Sequence, residues 1–170
     1  KGVPLTHWNI GSNIEGACLL AHLDDSSRVL GILPFFHSYG LTVTLWLPLV
    51  KALGVSYYPT PLDARGIGET VQRHRVTHLF ATPSFLSIYA RRTQPGQFGS
   101  LTYAQTGAEK LRPAVAEAFE ARFGLKPIEG YGATECSPVV TMNTCDYRCP
   151  GIYQAGARAG SVGHPLPGVA

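Results

Sequence analysis

Charged residues are scarce in this chain of 170 residues, and their scarcity excludes one class of function. Asp, Glu, Lys and Arg make up 15% of the sequence, against about 25% in an average soluble domain. The formal net charge is +3, and the sequence has no basic run of the kind that binds nucleic acids. We therefore expect no nucleic-acid partner. We also expect part of this weakly charged surface to be covered by something else.

Long apolar runs are also missing. The longest extends from Leu41 to Val50, about half of the roughly 20 residues that a membrane-spanning helix needs. The first twelve residues contain no apolar core like that of a secretory signal peptide. These features predict no transmembrane segment in this chain and a cytoplasmic location.

Cysteine is too rare for a disulfide framework, because only four cysteines occur among the 170 residues. Cys145 and Cys149 have a spacing that would suit half of a zinc site. Their sulfurs, however, flank Arg148 just before Pro150, which disfavours a metal. We expect reduced thiols.

Glycine and proline are frequent, at 19 and 13 residues, and separate short β-branched runs from helical stretches. The periodicity predicts helices at 10–23, 38–53 with a kink or a new start at Pro48, 64–74, 84–92 and 112–123. It predicts strands at 28–33, 55–58, 77–81, 101–105 and 127–129, with an irregular segment from there to residue 170. This alternation predicts an α/β fold of repeated βαβ units, with a mainly parallel sheet flanked by helices.

Parallel sheets bind ligands where their strands end, and three predicted strand ends carry unusual sequences. LPFFHSYGLT follows the first strand and contains His37. QTGAEKL (105–111) exposes backbone at Gly107 and Ala108, where a planar ring could lie against the chain. In EGYGATECSP (129–138), a tyrosine stands between two glycines in what we predict to be a tight loop.

Each of these motifs also has a purely structural interpretation. His37 could begin a helix and bond to its backbone. QTGAEKL could be an ordinary turn from strand to helix, and EGYGATECSP a glycine-rich turn with a solvated glutamate. Motifs of other enzyme classes do not fit: GxSxG and GxxxxGK[ST] are absent, and a possible GxGxxG fails at Glu135. A fourth motif, GSVGHPLPG (160–168), specifies a rigid backbone path rather than chemistry.

Taken together and in this order, the four motifs resemble the adenylate-forming, or AMP-binding, superfamily. Lys1-Gly2-Val3 resembles the end of that superfamily's phosphate loop, and YGATE (131–135) resembles its nucleotide motif. Within the superfamily, GAEKL, EGYGATECSPVV and the tract at 150–168 are most similar to the synthetase part of bifunctional acyl-ACP synthetase/2-acylglycerophosphoethanolamine acyltransferases. The chain then corresponds to a single partial AMP-binding domain over 1–170, a central fragment of a large N-terminal domain.

The resemblance implies a ligase that uses ATP and Mg²⁺ to convert a fatty acid into acyl-AMP. It further implies transfer of the acyl group to the thiol of acyl carrier protein, feeding lysophospholipid acylation, by a parent polypeptide in the cytoplasm or at the cytoplasmic face of the inner membrane. One alternative is a long-chain acyl-CoA synthetase with coenzyme A as acceptor. An alternative of another class is a non-catalytic nucleotide- or lipid-binding module. Most of the phosphate loop, the ribose-binding strand and the C-terminal domain of the superfamily are not in this chain, so we expect the fragment alone to be inactive.

The resemblance also assigns roles to individual residues. It implies that Tyr131 stacks on adenine, that Thr134 contacts the α-phosphate and that Glu135 holds Mg²⁺, the last two being catalytic together with His37. His37 and Tyr39, with Gly107, are implied to lie near the substrate carboxylate and acyl group. The other implied nucleotide contacts are Lys1, Gly107, Ala108, Glu109, Gly130 and Gly132.

Overall fold

Residues 2–169 are described by the computed structural model, and they form helices and strands in alternation over most of their length. The α-helices are α1 (His7–Ala21), α2 (Ser38–Gly40), α3 (Leu47–Val50), α4 (Ala64–His74), α5 (Pro83–Arg92) and α6 (Pro113–Phe123). A π-helical segment (Leu41–Trp46) joins α2 to α3, and 3-10 turns lie at Pro95–Phe98 and Thr134–Cys136. The strands are β1 (Arg28–Gly31), β2 (Gly54–Tyr57), β3 (His78–Ala81), β4 (Tyr103–Thr106), β5 (Ile128–Gly132), β6 (Val139–Met142), β7 (Tyr147–Cys149), β8 (Ile152–Gln154) and β9 (His164–Pro165).

Seven of these strands form one sheet in the order β2-β1-β3-β4-β5-β6-β9. The first five in that order are parallel; Leu30 of β1, for example, is opposite Ser56 of β2 and Leu79 of β3. The strands β6 and β9 are antiparallel, and β7 and β8 form a separate hairpin. The predicted α/β fold with a mainly parallel sheet is confirmed. Because the first five strands are parallel, their carboxyl ends lie at one edge of the sheet.

Helices cover both faces of the sheet. Side chains alternate between the two faces of a strand, so neighbouring residues belong to different apolar clusters. Leu30 and Leu79 pack with side chains of α4, α5 and α6. Val29 and Phe80 pack with α1 and with the helical path from α2 to α3. Strands buried on both faces in this way are typical of parallel sheets.

In the helical path from residue 38 to residue 50, a side chain from another element compensates for the hydrogen bond that a proline cannot make. Pro48 has no N–H and therefore cannot donate to the carbonyl of Thr44, four residues earlier. The Tyr57 hydroxyl, from β2, donates to that carbonyl at 2.8 Å. The π-helical segment Leu41–Trp46 stands in place of a kink, and a new α-helix, α3, begins at Leu47, which confirms the predicted new start at Pro48 to within one residue.

The segment after β5 is more regular than the sequence predicts. The expectation of an irregular tail was wrong, because residues 139–165 contain four strands, β6 to β9. These strands have two to four residues each, too short for the side-chain alternation to become visible. Among residues 2–169, no helix is long and apolar enough to cross a bilayer.

Candidate functional site

A cavity of about 210 Å³ opens at the carboxyl ends of β4 and β5, beside the loop that follows β1. We call it the motif cavity, because all three chemically unusual motifs contribute to its wall. Its lining includes eight of the residues predicted to bind nucleotide or acid: His37, Tyr39, Gly107, Ala108, Gly130, Tyr131, Gly132 and Thr134. Residues separated by up to about a hundred positions are therefore brought together at the edge of the sheet where the sequence predicted a site.

His37 begins α2 and also lines the motif cavity. Its Nδ1 atom accepts a hydrogen bond from the backbone N–H of Tyr39 at 3.1 Å. The structural interpretation of this residue, a histidine bonded to the start of a helix, is therefore correct. This helix-capping role is compatible with a functional role for His37. A neutral imidazole ring that accepts a hydrogen bond at Nδ1 carries its proton on Nε2. That proton is available to a ligand.

Tyr39 is buried between the motif cavity and the sheet. Burial raises the pKa of its phenol well above the usual range, so the hydroxyl stays protonated and acts as a donor. Its nearest acceptor is the carbonyl of Gln105, at 3.4 Å. A Cβ at Gly107 would come within 3.3 Å of the Tyr39 ring. The glycine thus allows the tyrosine to lie against the end of β4.

Tyr131 is 54% exposed at the wall of the motif cavity. The prediction that it lies in a tight loop was wrong, because β5 continues through Gly132 and the pairing with β6 becomes irregular only between these two residues. A Cβ at Gly132 would collide with the carbonyl of Pro138. The glycine is therefore required for the close approach of the two chain segments, and the tyrosine ring remains free on one side.

Thr134 follows β5 and begins a 3-10 turn. Its Oγ1 atom lies 3.1 Å from Oγ of Ser38, so two hydroxyl groups from different loops meet at the cavity wall. The sequence analysis did not single out Ser38. The sequence did offer one signal for Ser38, namely its position directly after His37 at the start of α2. The backbone N–H groups in the first turn of a helix have no partner within the helix, so such positions often bind ligands.

Three predicted ligand-binding residues lie outside this group. Glu135 is exposed and does not line the motif cavity. Glu109 is also outside its lining, and its carboxylate accepts a hydrogen bond from Oγ of Ser84 at 2.6 Å. The prediction for Lys1 falls outside the described residues.

The donor set near the motif cavity fits only one kind of metal site. Within residues 2–169, no group of three or more His, Cys, Asp or Glu side chains could hold an ion by itself. A single exposed carboxylate, that of Glu135, suits Mg²⁺, which keeps most of its waters and is commonly held by one or two carboxylates together with substrate phosphates. The residues present therefore fit Mg²⁺ that arrives with a phosphate ligand.

A second, smaller cavity adjoins the first. It has a volume of about 150 Å³ and its wall is almost entirely apolar. The residues that line it are Leu33, Pro34, His37, Tyr39, Gly40, Thr82, Phe85 and Ala108. We call it the apolar cavity. It shares His37, Tyr39 and Ala108 with the motif cavity, so a polar and an apolar space meet at these three residues.

Comparison with known proteins gives a match between residues 1–170 and the AMP-binding enzyme family. The chain belongs to this family. The match covers the whole sequence, including the three motifs that form the motif cavity.

Several curated relatives of this AMP-binding chain are named as ligases. A long-chain-fatty-acid–CoA ligase of Bacillus subtilis is 31% identical over 98% of this chain. A sulfoacetate–CoA ligase of Cupriavidus necator is 33% identical over 97% of it. These matches cover only 29% and 31% of the two relatives, so the chain spans about three tenths of their length.

Solved structures share the fold. ATP-bound MatB from Rhodopseudomonas palustris has a TM-score of 0.82 and 25% identity, with 99% of this chain and 31% of that protein covered. An anthranilate–CoA ligase in complex with anthranoyl-AMP also has a TM-score of 0.82, at 22% identity and with 99% and 32% covered. At 22% identity, the similarity to the anthranilate–CoA ligase supports only the shared fold.

Proposed function

We propose that this AMP-binding chain forms the nucleotide- and acid-binding part of an acid–thiol ligase that activates its acid as an acyl-adenylate. The observation that carries the proposal is the meeting of the motif cavity and the apolar cavity at His37, Tyr39 and Ala108. An acyl-adenylate has a polar nucleotide at one end and an acyl group at the other. It needs two such spaces with the reacting carbon at their junction.

In the first half-reaction, a carboxylate oxygen of the acid attacks the α-phosphorus of ATP, and the bond to pyrophosphate breaks. We assign the Thr134 hydroxyl to the α-phosphate oxygens, with Ser38 orienting it from 3.1 Å. Tyr131 stacks on the adenine, and the backbone at Gly107 and Ala108 lies along it. Fixed donors of this kind stabilise the charge that develops on the phosphate oxygens.

Mg²⁺, when bound, neutralises part of the charge on the phosphate oxygens. We assign Glu135 as its protein ligand. The exposed carboxylate is accessible to an ion that is carried in by ATP.

The nature of the acid is inferred from the apolar cavity. Its wall contains no Lys, Arg, Asp or Glu among the described residues, so an amino acid would find no partner for its ammonium group there. A fatty acid fits better, and long-chain fatty acid is the substrate in the name of the Bacillus subtilis relative. His37 and Tyr39 then lie beside the carboxylate.

In the second half-reaction, the sulfur of a thiol attacks the acyl carbon and AMP leaves. We favour coenzyme A as the acceptor, because the ligase relatives named above are CoA ligases. Acyl carrier protein, with onward transfer to a lysophospholipid, remains the competing prediction from the motifs. A cytoplasmic location suits either acceptor.

The test uses the full-length protein in an ATP–pyrophosphate exchange assay. The panel of acids is palmitate, octanoate, acetate and sulfoacetate. We expect exchange that depends on the acid and is fastest with the apolar acids. Thioester formation is then measured with coenzyme A and with acyl carrier protein at equal concentration.

Two results would change the account. ATP binding without exchange for any acid would favour a non-catalytic module. Faster acylation of the carrier protein would replace coenzyme A as acceptor and leave the adenylation step intact.

A further inference from the structure

Thr134 and Glu135 lie in the loop between β5 and β6, and a backbone hydrogen bond joins the two ends of this loop. The backbone N–H of Ala133 donates to the carbonyl of Pro138 at 2.8 Å. Ser137, just before the end of the loop, has a φ of 75°, in the left-handed region that residues other than glycine rarely adopt. Such a conformation persists only where the surrounding structure holds it.

Asn13, in the middle of α1, holds this loop from outside. Its Nδ2 atom donates to the carbonyl of Val139 at 2.7 Å and to that of Cys136 at 3.2 Å. Its Oδ1 atom accepts from the N–H of Val139 at 3.2 Å. The side chain is 9% exposed, so water does not readily replace these bonds. One side chain thus fixes both ends of the segment 136–139.

A primary amide is needed for this pattern, because its two donors face two carbonyls and its acceptor faces an N–H. Aspartate has the same shape but places a carboxylate against the two carbonyl oxygens. Alanine or leucine leaves all three backbone groups without a partner. The loop is also held by the Thr42 hydroxyl, which donates to the carbonyl of Ser137 at 3.4 Å.

We propose that Asn13 is a positioning residue of the adenylation site. By fixing residues 136–139 it sets where the Thr134 hydroxyl and the Glu135 carboxylate stand relative to the bound phosphates. The inference rests on the proposed function. Displacement of a catalytic group by about 1 Å costs on the order of 100-fold in rate. A loosened loop should therefore impair turnover far more than it impairs folding.

Asn143 provides a matched control. It is 3% exposed, and its Nδ2 also donates to two carbonyls, those of Glu129 and Ser161, at 2.8 and 2.7 Å. Its Oδ1 accepts from the N–H of Arg158 at 3.0 Å. The two asparagines therefore make the same number and kind of bonds, but these bonds of Asn143 go to Glu129, Ser161 and Arg158 and not to the segment 133–139.

The experiment compares Asn13→Asp and Asn143→Asp in the full-length protein, by thermal unfolding and by ATP–pyrophosphate exchange. We expect similar losses of Tm. We expect kcat to fall at least about 10-fold for Asn13→Asp only, with a raised KM for Mg·ATP and an unchanged KM for the acid. A purely structural role would not produce this difference between the two KM values.

A milder variant, Thr42→Val, guards against a failure of Asn13→Asp to fold. It removes one bond to the loop, and a smaller loss in the same kinetic direction is expected. Equal kinetic effects of the two asparagine variants would overturn the positioning role, as would an unchanged kcat for Thr42→Val if Asn13→Asp does not fold. A wild-type protein with no acid-dependent exchange would instead overturn the proposed function, and the positioning role with it.

Discussion

The ring of Tyr131, in β5, is 54% exposed and lines the motif cavity. The glycines at 130 and 132 place no side chains beside it. A flat, accessible ring of this kind can stack on a purine with little dependence on its hydroxyl. At the residue scale, the account therefore assigns the nucleotide contact to the ring rather than to a hydrogen bond.

Substitution of Tyr131 tests this assignment. Tyr131→Phe should leave the affinity of the full-length protein for ATP nearly unchanged, because the ring is retained. Tyr131→Ala should weaken it by about 1–2 kcal/mol, the usual range for a base stacked on an aromatic residue. Titration calorimetry with ATP and Mg²⁺ measures both. Large and equal losses would mean that the hydroxyl, not the ring, makes the contact.

At the scale of elements, the helix that follows His37 depends on a contact from β2. The Tyr57 hydroxyl supplies the hydrogen bond that Pro48 cannot give to the carbonyl of Thr44. Thr44 is fully buried while Tyr57 is 49% exposed, so this bond lies between the core and the surface. The pairing of these residues holds α2, and with it His37 and Ser38, against the sheet.

Tyr57→Phe should destabilise the fold by about 0.5–1.5 kcal/mol, because it removes a hydrogen bond to the carbonyl of a buried residue. Tyr153→Phe is the control. Its hydroxyl donates to Asp146 at 3.0 Å on the exposed hairpin, where water can substitute. Calorimetry of the full-length protein should show a lower Tm for Tyr57→Phe and almost none of this loss for Tyr153→Phe. Equal small shifts would contradict the contact's structural role.

Elements with strong local signals could be predicted from the sequence. The bounds of α4 agree with the prediction at both ends, since Asp63 caps its first turn and apolar residues recur at helical spacing. The α1 helix begins three residues earlier than predicted, because Thr6 forms a capping box with Asn9. The short strands β6 to β9 were not predictable, as their pairing partners are fixed by tertiary contacts.

The candidate site, like the fold, was predictable from the sequence only in part. Its position was predictable because parallel strands bring their carboxyl ends to one edge, and the motifs there place His37, Gly107, Tyr131 and Thr134 around one cavity. The contribution of Asn13 was not predictable. A single asparagine in a helix gives no local signal, and its partners are more than 120 residues away in sequence.

At the scale of the whole molecule, the motif cavity lacks part of what a triphosphate requires. No Lys or Arg lines it among residues 2–169. Under the proposed function, the charge of the β- and γ-phosphates would be met by Mg²⁺ and by groups outside this lining. That the 170 residues alone are inactive remains a prediction. It is consistent with a chain that spans about three tenths of its ligase relatives.

Several large apolar side chains are exposed on the molecule, among them Trp8 at 80% and Phe36 at 94%. Together with the low charge content, this exposure is in line with a surface that contacts the rest of a longer polypeptide.

The most direct test of the account is a crystal structure of the full-length protein with an acyl-sulfamoyl-adenosine, a stable mimic of acyl-AMP. The account predicts the adenine stacked on the ring of Tyr131 and the sulfamoyl group beside the Thr134 hydroxyl. It predicts that the acyl chain passes His37 and Tyr39 into the apolar cavity. An adenine bound away from Tyr131, or an acyl chain outside the apolar cavity, would contradict the assignment of the two cavities.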